Sequence, residues 1–184
     1  MSPILGIIAS QDYTRVTNSY ESIATTTLGS NTGTVTFSSI PATYTHLQLR
    51  CFASTNRGIT ANMQVRFNSD SGSNYAKHYL YGDGASAGAG GSASQTLISL
   101  DRIGGTSTTF GALVVDVLDY ANTNKYKTVR NLGGIDLNGS GEIDLQSGLW
   151  MNTAAITSIT LITVDGTMDF LTNSSFALYG IKGA

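Results

Sequence analysis

Hydrophobic and polar residues alternate along most of this chain in short runs. A period of two is typical of β-strands that present one face to a core. Gly, Asn and Ser separate the runs, and Gly and Asn supply the positive φ angles that tight turns need. No window shows a convincing helical period bounded by caps. The apolar members of the runs are Val35, Phe37, Leu47, Leu49, Cys51, Met63, Val65, Phe67, Leu113, Val115, Val117, Ile143, Leu145, Ile159, Leu161, Phe176 and Leu178.

This pattern predicts an all-β fold, a two-sheet antiparallel sandwich that is jelly-roll-like and carries an extended N-terminal arm. We expect residues 1–20 to form the arm or docking segment and residues 21–184 to form a single β-sandwich domain. The run around Leu113–Val117 is apolar on both sides, which favours a central strand covered on both faces. The segment 82–94 is nearly all Gly, Ala and Ser, so a flexible loop is expected there.

Charge is scarce: only 12% of the residues are charged, against about 25% in an ordinary globular domain. The formal net charge of −2 provides no field to attract nucleic acid or an anionic membrane. Cys51 is the only cysteine, which excludes an intrachain disulfide and is typical of a small buried hydrophobe. Neither a signal peptide nor a transmembrane span is expected from the apolar runs.

None of the candidate chemical motifs has the flanking elements or ligands that its chemistry requires. Gly84–Gly88 matches the G-x-S-x-G pattern around Ser86, but no strand-turn-helix context is expected there, and His46 and His78 both precede it. Asp136–Asp144 follows a calcium-loop pattern, but Ser147 stands where a bidentate Glu belongs, and a hairpin turn explains the same residues. We therefore expect no catalytic residues, no cofactor and no metal, although cation binding by this loop stays an alternative.

Two groups of apolar and aromatic residues are candidates for contact with partners. Tyr79 and Tyr81 share a strand face just before the Gly-rich segment, and they are candidates to stack on a sugar or to fill a subunit interface. Ordinary core and rim packing explains aromatic residues equally well. Near the N-terminus, an uncovered apolar run needs a strand partner in its own domain or on another chain; its anchors are Ile4, Leu5, Ile7 and Ile8.

Several stretches of the sequence carry a resemblance to a known family. They are Ile4–Ser10, Tyr20–Thr25, Ser38–Arg50, Arg66–Asn68, Asn74–Gly82 and Phe176–Ile181. Together they resemble small virion structural proteins of tailed bacteriophages, and the likeness runs over nearly the full length. These stretches contain no chemical signature, so the resemblance identifies no catalytic residues.

The resemblance implies a non-enzymatic β-sandwich displayed in many copies on the virion, which is assembled in the host cytoplasm. The expected role is a capsid decoration or cement protein that self-associates, as a homotrimer, and docks on the major capsid protein. The alternative is a tail fibre or baseplate component that contacts a host-surface glycan through Tyr79, Tyr81 and loop 82–94. A free sugar-binding module is a third possibility, and it requires a concave aromatic face.

Overall fold

A computed structural model describes residues 19–164 and 167–182, and within these ranges the fold is all-β. No helix in these ranges has the length and apolar character needed to cross a bilayer. The described strands are β1 (Tyr20–Thr27), β2 (Thr34–Phe37), β3 (His46–Ala53), β4 (Ala61–Phe67), β5 (Tyr75–Gly82), β6 (Ala87–Gln95), β7 (Ile98–Ile103), β8 (Gly111–Leu118), β9 (Lys127–Asp136), β10 (Gly141–Trp150), β11 (Ile159–Ile162) and β12 (Ser175–Ile181).

The strands form two antiparallel sheets packed as a sandwich, which confirms the predicted fold class. The larger sheet has eight strands in the order β1-β12-β3-β8-β9-β10-β5-β6, and the smaller has four in the order β2-β11-β4-β7. The chain passes from one sheet to the other at each step from β1 to β5, from β6 to β8 and from β10 to β12. Such alternation between two sheets is characteristic of a jelly roll.

The core lies between the two sheets and is built from alternate residues of the facing strands. In β3, for example, Leu47, Leu49 and Cys51 point inward, while Arg50 and Phe52 are exposed. Burying one such aliphatic side chain contributes about 1.5–3 kcal/mol, so the alternation fixes which face of each strand turns inward. Burial also raises the pKa of the Cys51 thiol to about 12, as expected for an unreactive core cysteine.

Aromatic residues close one end of the core beneath β5 and β10. Trp150 is fully buried, and its ring centroid lies 5.6 Å from that of Phe67 and 6.3 Å from that of Tyr75. The indole Nε1 donates a hydrogen bond of 2.8 Å to Asp70. Hydrogen bonds from Asn74 and Trp150 hold the pKa of that carboxyl below its ordinary value. Trp150 and Tyr75 are therefore core residues, whereas Tyr79 and Tyr81 lie further along β5.

The prediction of a flexible loop over residues 82–94 is wrong, because most of this segment is strand β6 at the edge of the larger sheet. Its glycines make room for the tyrosine rings of β5. A Cβ at Gly88 would lie 2.5 Å from the ring of Tyr81, and one at Gly90 would lie 2.5 Å from the hydroxyl of Tyr79. The rings compensate for the missing side chains, as aromatic residues do beside glycines in other sheets.

Two expectations about sheet faces are also wrong. β8 is central in its sheet, but its outer face is not covered within the described chain, since Val114 is exposed. In β10 the apolar residues are not the buried ones: Asp144 and Gln146 are buried, while Ile143 and Leu145 face solvent. This arises because the inner face of β10 lines a polar space between the sheets.

The anchors of the predicted arm, Ile4, Leu5, Ile7 and Ile8, lie outside the described residues. The backbone of Ser19 already takes part in the sandwich, because its carbonyl oxygen accepts a hydrogen bond of 3.0 Å from the amide of Lys182. Tyr20 is the first residue of β1 and pairs with Ile181. Along the described chain, the sandwich therefore begins at residue 19.

Candidate functional site

The outer face of the larger sheet exposes a band of apolar side chains that crosses neighbouring strands. One row of cross-strand partners runs Val114, Leu132, Leu145, Leu80 and Ala89, from β8 to β6. The adjacent row runs Phe52, Ala112, Gly134, Ile143, Gly82 and Ala87. We call the large members of these rows the outer apolar belt; they are Phe52, Leu80, Val114, Leu132, Ile143 and Leu145.

These belt residues are well exposed: Ile143 is 61% exposed, and Leu80 is 57% exposed. Small residues between them leave two shallow hollows, one of about 580 Å³ beside Leu132 and Ile143 and one of about 370 Å³ beside Leu80 and Leu145. A polar row borders the belt, and in it Asp116 lies opposite Arg130. An apolar centre with a polar border is the usual composition of a protein contact surface.

The opposite, inner face of the same sheet carries a polar pocket where the smaller sheet leaves β5 and β10 uncovered. It encloses about 410 Å³. The rings of Tyr79 and Tyr81 form one wall, with centroids 6.3 Å apart, and the Lys77 ammonium lies 5.0 Å from the Tyr79 ring centre. The lining residues are Asn62, Lys77, Tyr79, Tyr81, Asp83, Arg102, Glu142, Asp144 and Gln146.

Two carboxyl groups of the polar pocket, those of Glu142 and Asp144, meet a third from a buried residue. Asp101 of β7 faces Glu142 and Asp144 of β10, and one oxygen from each lies within 4.8 Å of the others. We call these residues the carboxylate cluster. Glu142 is also paired with Arg102, with an Nε–Oε1 distance of 2.9 Å. The cluster therefore joins the two sheets through side chains of opposite strands.

Burial changes the protonation of this cluster. Asp101 is fully buried, and loss of hydration, together with the neighbouring Asp144, raises its pKa to about 8. Desolvation also raises the pKa of Glu142, against the opposing effect of Arg102. On the pocket wall, desolvation lowers the pKa of Lys77. Without a bound cation, Asp101 is therefore mainly protonated at neutral pH.

The geometry gives little support to a glycosidase pair. Such enzymes need two carboxyl groups that both reach the sugar, one on each side of the scissile bond. Asp101 is fully buried, and Glu142 is held by Arg102. The pocket instead combines aromatic faces with hydrogen-bonding groups, which suits binding of a polar ligand.

The structure brings together only some of the residues singled out from the sequence. Tyr79 and Tyr81 share the pocket wall. Residues Asp136–Asp144 form a hairpin turn, as the preferred interpretation expected, with the amide of Asn138 donating a bond of 2.8 Å to Asp136. Ser86 is exposed in the β5–β6 turn. His46 and His78 lie on different strands, where His46 accepts a hydrogen bond from the amide of Asp119.

Sequence reasoning missed the carboxylate cluster and the outer apolar belt. The alternation of Glu142, Asp144 and Gln146 with apolar neighbours was visible, but it did not show which side of β10 was buried. The contact between Asp101 and β10 joins strands far apart in the chain, so only the folded sheet order reveals it.

No protein-family model matches this chain, and no curated protein matches it either.

Proposed function

We propose that this protein is a non-enzymatic structural component of a tailed-bacteriophage virion, most specifically a capsid decoration or cement protein. In this role copies of the chain associate with one another, as a homotrimer, and dock on the lattice of the major capsid protein. The observation that carries the proposal is the outer apolar belt. The sequence resemblance to small virion proteins supports it independently.

The belt favours a structural role because its exposure is costly unless another chain covers it. Its six large side chains are each about half exposed. Covering them recovers roughly half of the 1.5–3 kcal/mol that each contributes when fully buried, or about 5–9 kcal/mol in all before the costs of association. This gain is comparable to the cost of association, so a single contact between copies is weak and repetition on a lattice strengthens it.

We assign the belt to contact between copies of this chain. The belt itself carries no charge, which matches a chain with few charged residues of its own. Its hollows, over Ala112 and Gly134 and beside Leu80, fit protruding aliphatic side chains of the same kind. In this arrangement, residues 1–18 of the predicted arm dock on the capsid lattice.

The first test measures the molar mass of the purified protein by light scattering over a range of concentrations. We expect the native chain to form trimers and the Leu145→Glu variant to dissociate, because a charge on the belt opposes its burial. Ile59→Glu is the matched control, since Ile59 is equally exposed but lies outside the belt. A native chain that stays monomeric, or a Leu145→Glu variant with the native mass, contradicts the proposal.

The second test measures attachment to the particle. Capsids of the phage that encodes the chain are mixed with purified protein, sedimented and analysed for bound copies. Hundreds of copies per particle support the decoration role, while a handful indicates the tail. Absence of the chain from both washed capsids and intact virions overturns the virion proposal as a whole.

A second candidate function, glycan recognition by a tail component, is favoured by the polar pocket. Tyrosine faces beside hydrogen-bonding side chains suit a sugar, which presents both apolar and hydroxyl surfaces. On a glycan array, this role requires selective binding that the Tyr81→Ala variant loses. Tyr126→Ala is the control, because Tyr126 is exposed away from the pocket. Binding to no glycan, or equal loss in both variants, removes this candidate.

A further inference from the structure

The carboxylate cluster concentrates negative charge between the two sheets. Asp101 belongs to the smaller sheet, while Glu142 and Asp144 belong to the larger one, and their oxygens approach within 4.8 Å. Carboxylates this close repel one another strongly in a partly dry environment. Something between them, a proton or a cation, must offset the repulsion.

A second observation separates these two possibilities. Three buried oxygens around the pocket have no hydrogen-bond partner among the described residues: Oδ2 of Asp101, Oδ1 of Asp144 and Oε1 of Gln146. The side-chain amide of Asn131, opposite Gln146 on β9, is also unpartnered, so its Nδ2 donates to none of these oxygens. Gln146 is only 4% exposed and lines the polar pocket beside Asp144 and Glu142. Buried polar groups are almost always satisfied, so three unpartnered acceptors in one place indicate a missing positive group.

A shared proton accounts for only part of this arrangement. One proton between Asp101 and Asp144 satisfies the two carboxyl oxygens, but it leaves Oε1 of Gln146 without a donor. A cation accepts electron pairs from all of these oxygens at once. It therefore explains the amide oxygen as well as the carboxylates.

The ligand atoms indicate the type of cation. They are all oxygens, which are the ligands of hard ions, whereas zinc and copper sites usually include His or Cys. Two oxygens bound to one Ca²⁺ at about 2.4 Å can lie no more than about 4.8 Å apart, and the cluster oxygens lie within this limit of one another. Mg²⁺ needs shorter bonds and a stricter octahedron.

We propose that Asp101, Glu142 and Asp144 form a binding site for a divalent cation of the calcium type, with the amide oxygen of Gln146 as a fourth protein ligand. Water from the polar pocket completes the coordination. The bound ion links β7 of the smaller sheet to β10 of the larger one. This site differs from the calcium-like pattern of the hairpin at Asp136, and the inference does not depend on how copies of the chain assemble.

The test compares Ca²⁺ binding by four forms of the full chain after treatment with EDTA. Calorimetric titration with CaCl₂ and thermal unfolding are measured for the native protein and for the Asp101→Asn, Asp144→Asn and Asp136→Asn variants. The first two variants keep the side-chain size while removing a ligand charge. Asp136→Asn is the matched control, because Asp136 is exposed in the hairpin outside the cluster.

We expect the native protein to bind one ion, and its melting temperature to rise by about 5–10 °C when free Ca²⁺ is about a hundredfold above the dissociation constant. Asp101→Asn and Asp144→Asn should lose both effects, and Asp136→Asn should keep them. Sensitised Tb³⁺ emission under excitation of the pocket tyrosines, Tyr79 and Tyr81, gives a second readout of binding. Absence of binding at about 10 mM Ca²⁺, or loss of binding in Asp136→Asn alone, overturns the proposal.

Discussion

The buried Asp101 makes a specific prediction about how stability depends on pH. Its pKa is raised to about 8 in the folded protein, whereas an unfolded aspartate titrates near its ordinary value of 3.8. Between these values the folded chain keeps a proton that the unfolded chain releases. The contribution of Asp101 to the free energy of unfolding must therefore fall as pH rises through this window and level off on both sides of it.

One retained proton corresponds to a slope of about 1.4 kcal/mol per pH unit. Across the window this gives an upper limit of about 6 kcal/mol, which hydration from the adjoining pocket and relaxation of the charged neighbours reduce. Those neighbours are Asp144, Glu142 and Arg102. Asp101→Asn removes the titration but keeps a donor toward Asp144, so this variant should lack the slope and exceed the native stability near pH 8.

The assay is urea unfolding in EDTA at several pH values between about 5 and 8. Trp150 is the only tryptophan and is fully buried, so its fluorescence reports the unfolding of the core. Subtracting the Asp101→Asn data from the native data isolates the contribution of this carboxyl. A difference that stays constant over the range would refute the reasoning, and Asp136→Asn should retain the native slope.

Three further predictions concern other parts of the chain. Gly88→Ala should destabilise the protein by about 1–3 kcal/mol in urea unfolding, because the new methyl displaces the ring of Tyr81; a stabilisation, the usual effect of this change in a strand, contradicts the packing. Lys127→Met should cost about 2–4 kcal/mol, because the buried ammonium donates to the carbonyls of Asn122, Lys125 and Thr153; unchanged urea stability contradicts this role. Deleting residues 1–16 should leave a folded domain that no longer attaches to its particle in sedimentation, and a truncated chain that still attaches refutes the arm.

Much of the fold follows from the alternation of residues, because each strand of a sandwich needs one apolar face. β3 shows this directly, since its inward residues are the apolar ones. Alternation of apolar and polar residues does not identify a strand whose face packs against something other than an apolar core. β6 contains no large apolar residue, and its strand is stabilised by rings from the neighbouring β5. A flexible loop and such a strand have the same composition.

The candidate sites depend even more on contacts between distant segments. The apolar residues of β10 are exposed because its polar side lines the pocket, and sequence alone does not reveal which side a neighbour covers. Asp101 meets Asp144 only because β7 crosses beneath β10 from the other sheet. By contrast, Tyr79 and Tyr81 were accessible to prediction, since two tyrosines at a spacing of two residues share one face of a strand.

The central claim is that the outer apolar belt is covered when copies of this protein assemble. The most direct measurement is the rate of maleimide labelling of a Leu145→Cys variant, assembled and dissociated, with Ile59→Cys as the control. The native Cys51 does not interfere, because it is buried and its pKa is raised to about 12. The account predicts that assembly slows labelling at position 145 at least about tenfold, which corresponds to 1.4 kcal/mol, and leaves position 59 unchanged. Equal labelling of the assembled and dissociated forms at position 145 would contradict it.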